Sequence, residues 1–369
     1  MFQSVEIKGY RGLDRLTMSG LGRINLLVGT NNSGKTSVLE ALYLLASDGD
    51  LGAIWEIQTS RGERFGDLRG EGDPPEIEVC HLFHGHDLNN FAQFTVSGAE
   101  QDVRRRLHVY VDAVLERNEA QVKFSFLEDE REEGVYLVVR MDDEVLDPPH
   151  FPLTERGGIS LRTFQTGRHR SRRNQSGSSA RYISTGSLSP LQLHELWNGI
   201  VLTEGEDQIL DALRAVEPKI ERIAPLTAAP SSLAASRRGG FVVKIAGNDV
   251  PVPIGSLGDG IWRMLSMALA LVRAKDGVLL VDEIDTGLHY TVMDKMWTLI
   301  AKTAEALNVQ VFATTHSQDC VHSLASICRR DVEAGSRVTI QRIEPGQQAA
   351  VPYSEAEITV AAERRIEVR

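Results

Sequence analysis

The chain has 369 residues, a hydrophobic fraction of 42%, a charged fraction of 25% and a formal net charge of −11. This is the composition of a globular protein with room for one large or two ordinary domains, and its acidic balance argues against a protein that coats DNA. No apolar run approaches the roughly 20 residues that span a bilayer. The opening "MFQSVEIKGY" has no secretory pattern, and Cys80, Cys320 and Cys328 form no disulfide framework. The expected setting is a reducing, cytoplasmic one with no membrane attachment.

In chain order, "VEIKGYRGL" and "RINLLVG" read as strands, the second a continuous apolar run through Ile24, Leu26, Leu27 and Val28. "GKTSVLEALYLLAS" follows as a helix, apolar at Val38, Leu39, Leu42, Leu45 and Ala46. Between them "GTNNSGKT" fits the P-loop pattern G-x-x-x-x-G-K-[ST] in full, with the strand before and the helix after that the pattern requires. Gly29, Asn31, Asn32, Ser33, Gly34, Lys35, Thr36 and Ser37 form the expected nucleotide cradle. Glycine lets backbone N–H groups converge on phosphate oxygens at a helix N-terminus, where the dipole favours anions. Lys35 then reaches the β- and γ-phosphates, and the Thr36 hydroxyl ligates Mg²⁺. ATP and Mg²⁺ are the expected cofactors.

Residues 50–185 read as a β-rich lobe, with "EIEVCHLF", "NNFAQFTV", "RRLHVYVDAV", "QVKFSFLE" and "GVYLVVRM" as strands. "CHLFHGHD" gathers Cys80, His81, His84, His86 and Asp87. On a strand His81 faces away from Cys80, His84 and His86, and no second cluster stands at zinc-finger spacing. These histidines read as structural or solvated. "GRHRSRRNQSGSSAR" places Arg168, Arg170, Arg172, Arg173 and Arg181 in a polar loop. Two readings stand equal there: a solvated loop, or contact with nucleic acid or a partner.

Residues 186–250 read as a helical lid subdomain, with helices in "SPLQLHELWNGIVL" and "EDQILDALRAVEPKIERI" and a hairpin of "GGFVVKIAG" with "DVPVPI". In residues 251–369, "SLGDG" opens a helix with Ile261, Leu265, Ala268 and Val272 on one face. The apolar strand "VLLVDE" ends in Asp282 and Glu283, a helix runs near Tyr290 to Leu307, and "VQVFATT" is a strand. "RVTIQRI" and the closing "YSEAEITVAAERRIEVR" complete a set of C-terminal strands.

Paired with the P-loop, "VLLVDE" has the Walker B form. Asp282 holds Mg²⁺ through its water shell, and Glu283 orients or deprotonates the attacking water. His316 follows the next strand, placed to contact the γ-phosphate and sense its loss. Lys35, Glu283 and His316 are the expected catalytic set. Ser256 and Gly258 make a second anion site at a helix N-terminus. Because the P-loop already holds its own phosphate, this turn serves a nucleotide bound elsewhere, as in ABC-type pairs. An ATP-dependent homodimer or higher oligomer is expected.

"IKGYRGLDRL", "INLLVGTNNSGKTSVLEALYLL", "SLGDGIWRMLSMALAL", "LLVDEIDTGLH" and "ATTHS" resemble the ABC-type ATPases of the OLD and RecF-like group. "LHELWNGIVLTEGEDQILDALRAVEPKIERIAPL" and "RRIEVR" resemble stand-alone AAA-family ATPases of the OLD type. The resemblance implies an α/β P-loop NTPase, a single ABC-type head over residues 1–369 with a central parallel sheet, an antiparallel β lobe and a helical subdomain. It further implies that Arg11 and Gly12 approach the nucleotide, that Asp285 is the D-loop residue, and that Ser256 and Gly258 face a partner's γ-phosphate. Gln165 or the strand end "YISTGS" stands where the Q-loop residue is expected.

Three departures narrow the reading. "SLGDG" is not the transporter's LSGGQ, which disfavours transport. About 220 residues without heptads separate Lys35 from Ser256, too few for an SMC-type arm. OLD nucleases carry a C-terminal Toprim domain with clustered acidic ligands, and "RVTIQRIEPGQQAAVPYSEAEITV" offers no such cluster. Nuclease activity is therefore expected on a separate effector. The expected function is an ATP-hydrolysing switch that dimerises on ATP and controls a DNA-acting effector, as in OLD-type phage defence. The alternatives are a non-enzymatic ATP-gated scaffold and a RecF-like DNA repair clamp.

Overall fold

The structure is a computed structural model and describes residues 1–66, 75–88, 92–100, 103–112, 134–142, 144–164, 179–226, 240–330, 338–364 and 366–368. They fall into two compact units: Met1–Ser4, Met18–Leu39 and Ser179–Arg369 form the first, Val5–Thr17 and Glu40–Ser178 the second. No helix among the described residues is long and apolar enough to cross a membrane.

The first unit is built on a six-stranded sheet in the order Ala180–Ile183, Val278–Val281, Gln310–Thr314, Ile24–Val28, Val338–Arg342, Val351–Tyr353. Its first five strands run parallel and the last is antiparallel. Ile24–Val28, Val278–Val281 and Gln310–Thr314 are buried at every position. A parallel sheet covered on both faces demands such unbroken apolar runs, which is why these strands show no alternation. Register puts Ile183, Val281, Ala313, Leu26 and Ile340 in one row. The loops that follow these strands therefore leave the sheet at one edge, where α/β sheets bind their ligands.

The helix Lys35–Ala46 follows the P-loop strand, as its apolar spacing predicts. Asp259–Arg273 departs from the expected single apolar face: every residue from Ile261 to Leu271 is buried. A helix enclosed on all sides needs no polar stripe. Pro190–Asn198 opens on a reciprocal capping box between Ser189 and Gln192, and Glu204–Val216 on Thr203. That second helix stops before Pro218, and Ile220–Pro225, read from sequence as its tail, is instead a strand. It pairs with Phe241–Ile245, which pairs with Val252–Pro253, so the expected hairpin has a third strand. Tyr290–Ala306 is helical as expected, and Gln318–Arg330 is a helix the sequence reading passed over. The closing segment also corrects an expectation. Glu355–Glu363 is a helix, opened by a capping box between Ser354 and Glu357, rather than a strand.

The second unit holds a six-stranded sheet ordered Leu13–Ser19, Ser4–Tyr10, Gln93–Glu100, Val103–Asp112, Tyr136–Met141, Glu144–Pro152. Its last four strands pair antiparallel in succession. A three-stranded sheet of Gly158–Ser160, Glu76–Glu78 and Arg64–Phe65 and the helix Leu51–Ser60 complete it. "EIEVCHLF" is a strand only over Glu76–Glu78 and then turns into a short 3-10 helix, Cys80–Leu82. "QVKFSFLE" lies outside the described residues. Arg181, read as part of the Arg-rich loop, sits in the edge strand Ala180–Ile183 of the first unit, whereas Arg168, Arg170, Arg172 and Arg173 lie outside the described residues.

Candidate active site

The P-loop follows directly on the buried strand Ile24–Val28. Gly29 has φ +145°, and a Cβ there would lie 2.2 Å from the Ile343 carbonyl oxygen, so only glycine fits. Asn31 and Asn32 are exposed, Ser33 is buried, and Gly34 and Ser37 are half-buried. Lys35 Nζ donates to the carbonyls of Gly29 and Thr30 at 3.0 and 2.7 Å and to Ser33 Oγ at 3.4 Å. The loop is thus wound around a cation that phosphate oxygens can take over. Burial holds the Lys35 ammonium below the usual lysine pKa, while Asp282 and Glu283 pull it back up.

Asp282 stands at the end of Val278–Val281 and is buried. Three hydroxyls donate to its carboxylate: Thr36 at 3.1 and 3.2 Å, Thr185 at 3.2 Å and Thr314 at 2.7 Å. The donor set is all hard oxygen, the chemistry that suits Mg²⁺, and it joins the P-loop threonine to the Walker B aspartate. Thr36 and Asp282 would hold the ion, which when bound supplies charge neutralisation at the phosphates.

Glu283 leaves the strand with φ +46°, uncommon outside glycine. Its backbone N–H donates to Thr314 Oγ1 at 2.7 Å, and Ile284 N–H donates to the Thr314 carbonyl at 3.0 Å. The Glu283 carboxylate accepts from Thr286 Oγ1 at 3.1 Å. The turn thus separates the two adjacent carboxylates: Asp282 meets the P-loop threonine, while Glu283 is partnered locally. Asp285 accepts from Thr315 Oγ1 at 2.6 Å. His316 is half-buried in the turn between Gln310–Thr314 and Gln318–Arg330.

Ser256 and Gly258 are exposed. Gly258 precedes Asp259–Arg273 with φ +92°, makes no side-chain cap bond, and has open space around it. Of the residues expected to form the site, Asp282, Glu283, Asp285 and His316 sit in loops that leave neighbouring parallel strands at one sheet edge, and Lys35 and Thr36 open the helix that follows the next strand, Ile24–Val28, at that same edge.

Arg11 is held by protein partners. It belongs to the second unit and is buried, and its guanidinium bonds Glu63 at 2.7 and 2.9 Å, Gln58 at 2.7 Å and Glu40 at 2.8 Å. Burial alone would lower its pKa, but Tyr10, Glu63 and Glu40 carry it above the usual arginine value. A guanidinium with every nitrogen engaged in this way is not a free phosphate ligand. Gly12 beside it is exposed. The histidine cluster also differs from its expected strand alternation, because Gly85 and His86 adopt positive φ. His81 meets His86 at 3.2 Å and Glu78 at 2.9 Å, so both its ring nitrogens have protein partners. Cys80 lies within 4.8 Å of the Glu78 and His81 donor atoms.

Sequence reasoning missed Thr185, Thr314, Thr315 and Arg263. Thr185 falls in "YISTGS", one of the two stretches considered for the Q-loop; the other candidate, Gln165, lies outside the described residues. Arg263 carried a usable signal, a lone charge inside the apolar run "GIWRMLSMALAL".

Comparison with known proteins agrees with this geometry. Residues 1–114 match the family model described as "AAA ATPase domain", and residues 203–319 match "AAA domain, putative AbiEii toxin, Type IV TA system". An ATP/GTP phosphatase of Helicobacter pylori is 20% identical over 340 residues, covering 89% of each chain. The RecF protein of Pseudomonas savastanoi pv. phaseolicola is 56% identical over 41 residues, 11% of each chain. An SMC head, solved bound to the C-winged helix domain of ScpA, superposes with a TM-score of 0.51 at 12% identity, covering 96% of this chain and 97% of that one, a likeness of fold alone. The protein is an ATPase with the α/β fold of an ABC-type head, and its two matched segments are similar to AAA ATPase domains.

Proposed function

We propose that the chain hydrolyses ATP in a site that a second copy completes, and that the resulting cycle of pairing and release controls a separate DNA-acting effector. The observation that carries the first part is the "SLGDG" turn. It is exposed, and Gly258 makes no side-chain cap bond and has open space around it. The P-loop in the same chain already has its own Lys35, Thr36 and Asp282 for a nucleotide and Mg²⁺. In this reading Ser256 and Gly258 of one copy face the γ-phosphate held by Lys35 of the other. Glu283 activates the water, His316 senses the γ-phosphate, and Asp285 lies at the seam. The effector, its nuclease or Toprim chemistry, and a place in phage defence rest on the OLD-type resemblance of the quoted motifs.

Mixing two dead variants tests the composite site. Lys35→Ala and Gly258→Arg should each lack turnover, but in a mixed head-to-tail pair one site carries both lesions and the other carries neither. A one-to-one mixture should recover up to about a quarter of the wild-type rate. Subunit exchange is verified with differently tagged chains. Exchange without recovery, or full activity in a chain proven monomeric at saturating ATP, would rule the arrangement out. The effector arm is tested by native co-purification with a Glu283→Gln chain locked in its ATP state: if no DNA-acting protein comes down with it, that arm fails.

A further inference from the structure

Arg263 lies one turn into the helix that the "SLGDG" turn opens, and it is 1% exposed. One terminal nitrogen donates to the peptide carbonyls of Asp282 and Glu283 at 2.5 and 2.9 Å. The other donates to the Ser184 carbonyl at 2.9 Å and to Ser187 Oγ at 3.1 Å. None of these acceptors is a carboxylate oxygen. The guanidinium therefore lacks the bonded counter-charge that normally accompanies a buried arginine, and its Nε has no partner at all. Burial pushes its pKa down to about 10, against the pull of Asp282, Asp285 and Glu283. A buried charge held at such a disadvantage is poor stabilising chemistry. Its four acceptors explain what it is for: they are the two Walker B residues and the end of the neighbouring strand.

The held peptides are those that need holding. Glu283 has φ +46°, a conformation that is strained for a non-glycine residue and persists only where its surroundings impose it. Thr314 pins the Glu283 N–H and Arg263 pins its carbonyl, so both ends of the residue are fixed. We infer that Arg263 is a positioning residue for ATP hydrolysis, clamping the backbone of Asp282 and Glu283 to the helix that carries the "SLGDG" turn. The inference rests on Glu283 being the water-activating base. It adds a consequence to the composite site. The turn serves one nucleotide and Glu283 another, yet in each chain the two are joined through one rigid helix turn of roughly 6 Å. Occupation of the turn is thereby felt at the other base.

The test uses the full chain and separates turnover from binding. Lysine keeps the charge but has one nitrogen, which cannot span both Walker B carbonyls and the Ser184–Ser187 acceptors together. Arg263→Lys should keep ATP–Mg²⁺ affinity within about threefold and fold cooperatively, while kcat falls about 10²-fold, the scale of a misplacement near 1 Å. Arg263→Ala should lose kcat likewise and regain part of it with millimolar guanidinium, far below denaturing levels. Should the alanine variant fail to fold, the lysine variant decides alone. Wild-type kcat in Arg263→Lys would overturn the inference, and so would a parallel fall of affinity, melting temperature and kcat, because a merely structural role predicts that. Glu283→Gln is assayed alongside. If it hydrolyses ATP at the wild-type rate, the base reading fails. If it is inactive while Arg263→Lys is fully active, only the clamp fails.

Discussion

Arg11 in the second unit and Arg263 in the first are both deeply buried, at 5% and 1% exposure, but they are held by different kinds of acceptor. Arg11 bonds two carboxylates, Glu40 and Glu63, and Glu40 also accepts from Arg61 at 2.6 Å. Arg263 bonds peptide carbonyls and a serine hydroxyl. Environment shifts the two groups in opposite directions, Arg11 above the usual arginine range and Arg263 down to about 10. Both lose hydration. Only Arg11 recovers it through bonded counter-charges. One arginine ties carboxylates together within its unit, while the other holds the turn after Val278–Val281 at the expense of its own solvation.

Substitutions on the two sides should therefore separate stability from turnover. The largest effect is expected on the catalytic side. Glu283→Gln should lower ATP hydrolysis about 10² to 10⁴-fold while leaving ATP affinity in place, whereas Lys35→Ala should weaken binding itself. Steady-state hydrolysis and equilibrium ATP titration distinguish the two.

The network around Arg11 should behave in the opposite way. Glu40→Gln removes a carboxylate that is 1% exposed and serves both Arg11 and Arg61. Arg11 keeps Glu63 and Gln58, so losing one of its two carboxylates should cost about 1.5–3 kcal/mol. Urea unfolding should register that loss, and turnover per folded molecule should stay within about threefold. A loss below about 1 kcal/mol would show that the Arg11 cluster contributes no more than an exposed ion pair.

The smallest effect is expected at Thr185, one of three hydroxyl donors to Asp282. Thr185→Val should cost about 1 kcal/mol, because Thr36 and Thr314 still partner the carboxylate. A loss as large as that of Glu40→Gln would show that Asp282 depends on all three hydroxyls together, and would sharpen the contrast with the Arg11 side.

The sequence by itself determined the P-loop, its flanking strand and helix, and the Asp282–Glu283 strand end. Each is a local pattern: a buried parallel strand is written as an unbroken apolar run, and a phosphate cradle as glycines before a helix. Short elements were less legible. Ile220–Pro225 and Glu355–Glu363 were misassigned because six to nine residues hold too little periodicity to separate strand from helix. Tertiary structure alone decided who partners the charges. Thr185 reaches Asp282 across 97 residues, Arg263 reaches Ser184 across 79, and Arg11 reaches Glu63 across 52. Such partners are set by sheet register and chain crossing, which no window of neighbouring residues encodes. Motif reading could therefore name Asp282 and Glu283, but only the folded chain showed which groups hold them and which hold Arg11.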